Sequence, residues 1–395
     1  MSLTLQLPLE DGRLQRYALS QRTPVEPPAK PAFNRIAYSA AHVVANPLAP
    51  VDPWLEAAID WDATIAYRRR LWSMGLGVAE AMDTAQRGMG LDWNTSLELI
   101  RRSLDAARDF PGALVASGCG TDHLTPDAAR SVDDVIRAYE EQMAAIEKLG
   151  GKLILMASRA LVRVASGPED YEKVYGRLLQ QAKQPVVLHW LGDMFDPALA
   201  GYWGTTDLDR AMDTALGIIA ANADKVDGIK ISLLDKDKEI AMRRRLPAGV
   251  RMYTGDDFNY AELIAGDGEG AQPNHQQSDA LLGIFDAIAP AASAALAALA
   301  QGNLNRFHEI LAPTVPLSRH IFKSPTRFYK TGVVFMAWIN GHQDHFTMVG
   351  GQQSTRSLPH FAELFRLADA AGLIEQPELA ARRMKHLLAL HGIEG

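Results

Sequence analysis

The sequence predicts an α/β protein built as a (β/α)8 TIM barrel, and three observations carry that prediction. Between residues 34 and 299, short apolar strands alternate with helical stretches eight times without a break, which is the arithmetic of such a barrel. The competing doubly wound sheet lacks its usual support, because no Gly-x-Gly-x-x-Gly follows a first strand and no Walker sequence occurs. Polar and ionisable residues collect at the ends of the predicted strands, where barrels of this kind keep their chemistry.

Each element follows from local pattern. Residues 1–30 are polar and proline-rich, and Thr23-Pro24 with Pro27-Pro28 close them as an N-terminal arm or early hairpin. Residues 34–44 give a strand ending near His42, 61–74 a helix, 77–82 a strand, and 94–110 a helix with Asn94 as its cap. Next come a strand over 113–117 and a helix over 131–149 entered by a capping-box-like Ser131-Val132-Asp133-Asp134. Strands at 152–157, 185–190, 226–231 and 250–254 alternate with helices at 168–183, 207–221, 237–246 and 259–264. Residues 270–274 are the expected eighth strand and 278–299 the eighth helix. The predicted organisation is an arm over 1–30, a barrel over 31–300 and a C-terminal helical extension over 301–395, broken at Pro313, Pro316 and Pro325.

Composition bounds the function. The chain of 395 residues is 47% hydrophobic and 22% charged, enough for a sizeable core. A net charge of -7 offers nothing to draw nucleic acid or an acidic membrane surface. A single cysteine, Cys119, allows no internal disulfide and fits a reducing cytoplasm. The N-terminus lacks the basic start and apolar run of a signal peptide, and no apolar run reaches the length of a membrane span. A cytoplasmic protein with a small-molecule substrate, and with neither nucleic acid nor membrane as partner, is expected.

The predicted strand ends carry His42, Glu80 with Asp83 and Thr84, Thr121 with Asp122 and His123, Ser158 with Arg159, His189, Lys230, Asp256 with Asp257, and Asn274 with His275. Each has a plain structural alternative. Lys230 can snorkel from a strand end, His189 can cap a neighbouring loop, and Asp257, more than Asp256, suits a helix cap. Cys119 reads as an inert buried thiol. A lysine just inside a buried strand is nonetheless a marked choice, since desolvation lowers its pKa and frees a nucleophilic amine.

Three stretches together resemble the dihydrodipicolinate synthase / N-acetylneuraminate lyase superfamily of class I aldolases. Val226-Asp227-Gly228-Ile229-Lys230-Ile231-Ser232 is similar to that family's Val-Gly-Ile-Lys strand, whose lysine forms a Schiff base. Thr254-Gly255-Asp256-Asp257 resembles its Ser-Gly-Asp-Asp, and Gln184-Pro185-Val186-Val187-Leu188-His189-Trp190 its fifth strand. The chain departs from the pattern elsewhere. The family's Gly-Thr-Thr-Gly-Glu falls on Met82-Asp83-Thr84-Ala85-Gln86, so only Thr84 is kept. His189 stands in place of the relay tyrosine, and no counterpart of the synthases' carboxylate-binding arginine is evident around 193–195. The chain thus looks like a divergent bacterial subgroup.

The resemblance implies a Schiff-base lyase, aldolase or dehydratase acting on a 2-oxo acid or keto-sugar derivative. Lys230 is the implied nucleophile and His189 the candidate acid/base, titrating near neutrality. Thr84, Asp83, Glu80, His42, Asp122, Asp256 and Asn274 are candidates to bind substrate. The lysine imine replaces any cofactor or metal, the missing arginine favours a polyol over a second carboxylate, and fold analogy implies a homo-oligomer. Two alternatives stay open. A metal-dependent barrel would draw on His42, Glu80, Asp122, His123, His189, Asp256 and His275. A non-catalytic barrel would bind a sugar acid. Arg327, Tyr329, Lys330 and Arg356, with Gly350-Gly351, can fold over the mouth or stabilise a subunit contact.

Overall fold

A computed structural model of the chain describes residues 3–20 and 22–393. Of the predicted arm, Met1, Ser2 and Gln21 lie outside the described residues. Most of the rest of it is an antiparallel hairpin, β1 (Thr4–Pro8) and β2 (Leu14–Ala18). Eight parallel strands then close a barrel: β3 (Ala37–Ala40), β4 (Gly77–Glu80), β5 (Val115–Cys119), β6 (Lys152–Leu155), β7 (Val186–Leu191), β8 (Val226–Ser232), β9 (Arg251–Thr254) and β10 (Asp279–Leu282). β10 pairs with both β9 and β3, which completes the ring.

The helices on the barrel are α1 (Trp61–Ser73), α2 (Trp93–Arg108), α3 (Val132–Lys148), α4 (Arg159–Val164), α5 (Pro168–Gln181), α6 (Leu208–Ala221), α7 (Lys236–Arg243), α8 (Tyr260–Ala265), α9 (Ile284–Ala287) and α10 (Ala289–Ala300). The extension adds α11 (Leu304–Leu311), α12 (Val315–Ile321), α13 (Tyr329–Ile339), α14 (Leu358–Ala370) and α15 (Pro377–Leu390). The hairpin is tied to α14, where Tyr17 Oη and Ser20 N donate to Asp369 at 2.5 and 2.8 Å. No described helix is long and apolar enough to cross a membrane.

Two expectations fail for local reasons. The eighth strand is β10, not 270–274. Gly268 and Gly270 have positive φ (+70° and +130°), and Pro273 opens a 3-10 turn, so that stretch cannot extend. Ala280-Leu281-Leu282, counted with the helix in the sequence, forms the strand instead. Helix α2 is capped by Asp92, whose side chain accepts from Thr95 N at 2.8 Å, rather than by Asn94. The box expected before α3 is present, with Ser131 and Asp134 bonding reciprocally.

Strand alternation sorts side chains into two layers. One face packs against the helices. The other fills the barrel with Tyr38, Ala40, Ala79, Ala116, Ile154, Val187, Tyr253 and Leu281. Tyr38 on β3 and Tyr253 on β9, the two strands that flank β10, meet inside the barrel with ring centroids 6.2 Å apart. Tyr253 Oη donates to Asp227 Oδ2 at 2.6 Å, which anchors this aromatic layer near the strands' N-terminal ends. Gly228 makes room for it, because a Cβ there would lie 2.7 Å from the Tyr253 ring.

Candidate active site

Lys230 lies on the inner face of β8, in register with His189 on β7 and Tyr253 on β9. It is 7% exposed. Burial lowers its pKa, while the charges of Asp83 and Asp257 pull it back upward. Gly255 lies against it. A Cβ at that position would sit 2.3 Å from Ser232 Oγ, 2.6 Å from Ile231 O and 2.7 Å from Lys230 Cε. The glycine of the Gly-Asp-Asp stretch therefore gives the lysine its place.

The two aspartates exchange the roles expected of them. Asp256 is the one that holds the turn before α8, accepting from Phe258 N, Asn259 N and Asn259 Nδ2 at 2.8, 3.0 and 2.8 Å. Asp257 faces the lysine. It accepts from Ile284 N at 2.9 Å, and burial pushes its pKa up to about 7, with that hydrogen bond and then Lys230 opposing. Period-two alternation explains the exchange. Tyr253 is inward, so Gly255 and Asp257 continue the inner face and Asp256 does not.

Thr84 is buried at the mouth, and its Oγ1 lies 2.7 Å from Tyr329 Oη at the start of α13. Tyr329 stacks on Phe322, with centroids 4.3 Å apart, so the extension does reach into the barrel mouth. Burial raises the Tyr329 pKa well above its ordinary value, and Asp83 adds to this. The neighbouring Lys330 is also buried. Its Nζ donates to Arg327 O at 3.0 Å, and burial lowers its pKa to about 8 despite Asp83.

His189 is on the inner face with Nε2 3.4 Å from Ser232 Oγ and Nδ1 unpartnered. Burial, then Lys230, holds its pKa well below the ordinary imidazole value. That direction runs against the near-neutral titration expected from the sequence. Asp83, His189, Asp122, Arg87, Arg159 and Asp196 line a cleft of about 90 Å³ at the barrel mouth. Lys230 is not among the residues that line it. Arg87 and Arg159 are the cations of this cleft, and Arg159, already noted at its strand end in the sequence, donates to Asp196 at 2.5 Å. A strand-end arginine beginning a short helix was its only signal.

Several sequence candidates serve structure instead. Glu80 points outward, is 0% exposed and forms a bidentate pair with Arg68 at 2.9 Å. Ser103 Oγ and Ala81 N fill its remaining acceptor positions, so Glu80 is not free to hold substrate. Asp122 is fixed by Arg87 and Gln142. Burial would raise its pKa, but those partners hold it below the usual range. His42 Nδ1 lies 2.8 Å from Asp286 Oδ2, its ring packs on Tyr67, and it does not line the cleft. Asn274 lies at the opposite end of the barrel, donating to Pro247 O and Val250 O before β9. His275 is beside it, on Leu246 O. The seven residues of the metal alternative are thus dispersed, and among the described residues no three His, Cys, Asp or Glu are grouped to hold a metal.

The fold is that of the dihydrodipicolinate synthase family. The synthase from Aquifex aeolicus is 12% identical, with TM-score 0.58 over 91% of this chain and 98% of that one. A prophage protein of the family from E. coli K12, solved in complex with pyruvate, is 12% identical, with TM-score 0.66 over 87% and 100%. The 4-hydroxy-tetrahydrodipicolinate synthase from Methylacidiphilum fumariolicum SolV is 14% identical, with TM-score 0.61 over 89% and 99%. No curated protein matches the sequence. The chain belongs to the family described as "Protein of unknown function (DUF993)", matched over residues 5–393.

Proposed function

We propose that the protein is a Schiff-base-forming lyase or aldolase, or a dehydratase, that acts on a small 2-oxo acid through Lys230. The observation that carries this reading is an inward lysine at the C-terminal rim of β8, buried and without a hydrogen-bond partner, between Asp83 and Asp257. Its neutral amine adds to the ketone carbon. The carbinolamine then loses its oxygen as water, and the iminium accepts the electron pair of the bond that breaks. Asp257, with a pKa of about 7, suits the proton transfers at neutral pH, and the Tyr329–Thr84 pair offers a second route. Neutral His189 would hydrogen-bond the substrate without carrying an extra proton.

Arg159, in the cleft beside His189, supplies a cation for the carboxylate of a 2-oxo acid. This reading needs no metal or cofactor, puts the enzyme in the cytoplasm, and keeps a homo-oligomer, by fold analogy, as a further proposal. Sedimentation velocity of the purified protein checks the last point. Borohydride reduction with pyruvate or a longer 2-oxo acid, followed by peptide mass mapping, tests the chemistry. A reduced adduct on Lys230 is expected, and a turned-over substrate that leaves Lys230 unlabelled would refute the reading. A second reading, a non-catalytic barrel that binds a sugar acid, draws on Lys230 not being among the residues that line the cleft. It predicts saturable binding at the cleft with no adduct at all.

A further inference from the structure

A cavity larger than the cleft lies away from the barrel mouth. It lies within the extension, between α13, α15 and the segment 344–356, and holds about 640 Å³. Its floor is aromatic and aliphatic. Trp338 and Phe346 stack at 5.3 Å with their planes 11° apart, Phe361 meets Phe346 edge-on at 5.2 Å, and Leu387 closes one side.

Its charged lining is almost wholly cationic: Arg356, Arg382 and Arg383 against the single carboxylate of Asp344, which is fully exposed and 3.5 Å from Arg383. Arg383 is partly committed, donating to Trp338 O and Gln343 O. Arg382 has no partner and stands beside Arg383 on an exposed turn of α15. Arg356 is the most telling. It donates only to neutral carbonyls, those of Lys323, Ser324 and Pro325, and its buried Nε has no partner. A half-buried guanidinium without a counter-ion is costly, and an anion that enters from solvent would relieve that cost.

We propose that this cavity is a binding site for an organic anion, a carboxylate or phosphate carried on a flat apolar body. The rings of Trp338 and Phe346 take the body, and Arg356 and Arg382 take the charge. The site is separate from Lys230, and nothing in its argument depends on Schiff-base chemistry.

The probe is 8-anilinonaphthalene-1-sulfonate, an aromatic anion whose fluorescence rises in apolar surroundings, titrated into the full-length protein. One saturable site per chain is expected. Arg382→Glu, and separately His386→Glu one turn further along the same helix face, should each weaken it about tenfold or more. Arg210→Glu, an equal charge change on exposed α6 outside the cavity, should leave it unchanged. Both cavity variants lie on exposed positions, and unaltered melting temperatures would certify their folding. Displacement by phenyl phosphate or benzoate, but not by benzyl alcohol, completes the expected result and tells which anion is preferred. Equal affinity in all the variants, equal weakening by Arg210→Glu, or equal displacement by the alcohol would each overturn the proposal.

Discussion

Replacing Gly255 by alanine tests how Lys230 is held. The new Cβ would lie 2.3 Å from Ser232 Oγ and 2.6 Å from Ile231 O, so relief to ordinary contact needs a shift of roughly 1 Å. Ile231 O cannot retreat freely, because Gly255 N donates to it at 2.8 Å between β8 and β9. The softer neighbour is the lysine, whose Cε is 2.7 Å away. Overpacking of this kind costs about 1–3 kcal/mol. With an unfolding entropy of about 0.8 kcal/mol per kelvin for 395 residues, Tm should fall by about 1–4 °C. A displacement of about 1 Å at a reacting amine should slow adduct formation by about a hundredfold. The assay is the rate of borohydride-trapped adduct on the Lys230 peptide, with Tm measured alongside. Adding Ser232→Ala removes the nearest clash and should return part of the lost Tm. Wild-type trapping with unchanged Tm in Gly255→Ala would refute the packing argument.

Other perturbations address other layers. Glu80→Ala strands the Arg68 guanidinium in a dry position and should cost about 3–5 kcal/mol in denaturant unfolding; a near-neutral result would reject the assigned pair. Tyr329→Phe removes the 2.7 Å contact to Thr84, so trapping should slow by about a hundredfold while stability changes by only about 1 kcal/mol. An unaltered trapping rate would exclude Tyr329 from the proton route. Glu239 sits outside the barrel, accepting from Thr254 and Ser278, and burial raises its pKa to about 8. The folded state therefore keeps a proton that the unfolded state releases from about pH 4.5 upward. Stability from this group is full below that pH and is lost as pH rises towards about 8. Glu239→Gln should flatten the fall in Tm across that window, and a parallel profile would contradict the shift.

Much of the fold was legible because barrel strands and helices announce themselves by period and length. The eighth unit was missed where Gly270 and Pro273 mimic a strand boundary and Ala280-Leu281-Leu282 mimic a helix start. The candidate site was legible at Lys230, where a charge interrupts an apolar run and the structure turns the side chain inward. It was not legible at Glu80 or Asp256, because a strand end supplies polar residues to both faces and only alternation says which way each points. Pairing Lys230 with Tyr253 would have selected Asp257. Nothing local could have brought Tyr329 to Thr84, since 245 residues separate them and only the docking of α13 joins them. His189 shows a different limit: its residue type suggested a neutral-pH switch, but burial decides its charge.

The Tyr38–Tyr253 layer makes the barrel a blind well. With the lower end filled by rings and Tyr253 tethered to Asp227, any molecule that reaches Lys230 must leave by the path it took in. In a reaction that splits one substrate into two pieces, the fragment still attached to the lysine is then the deeper one. Under the proposed chemistry the piece nearer Arg159 has to depart first, so the order of product release follows from the closed floor.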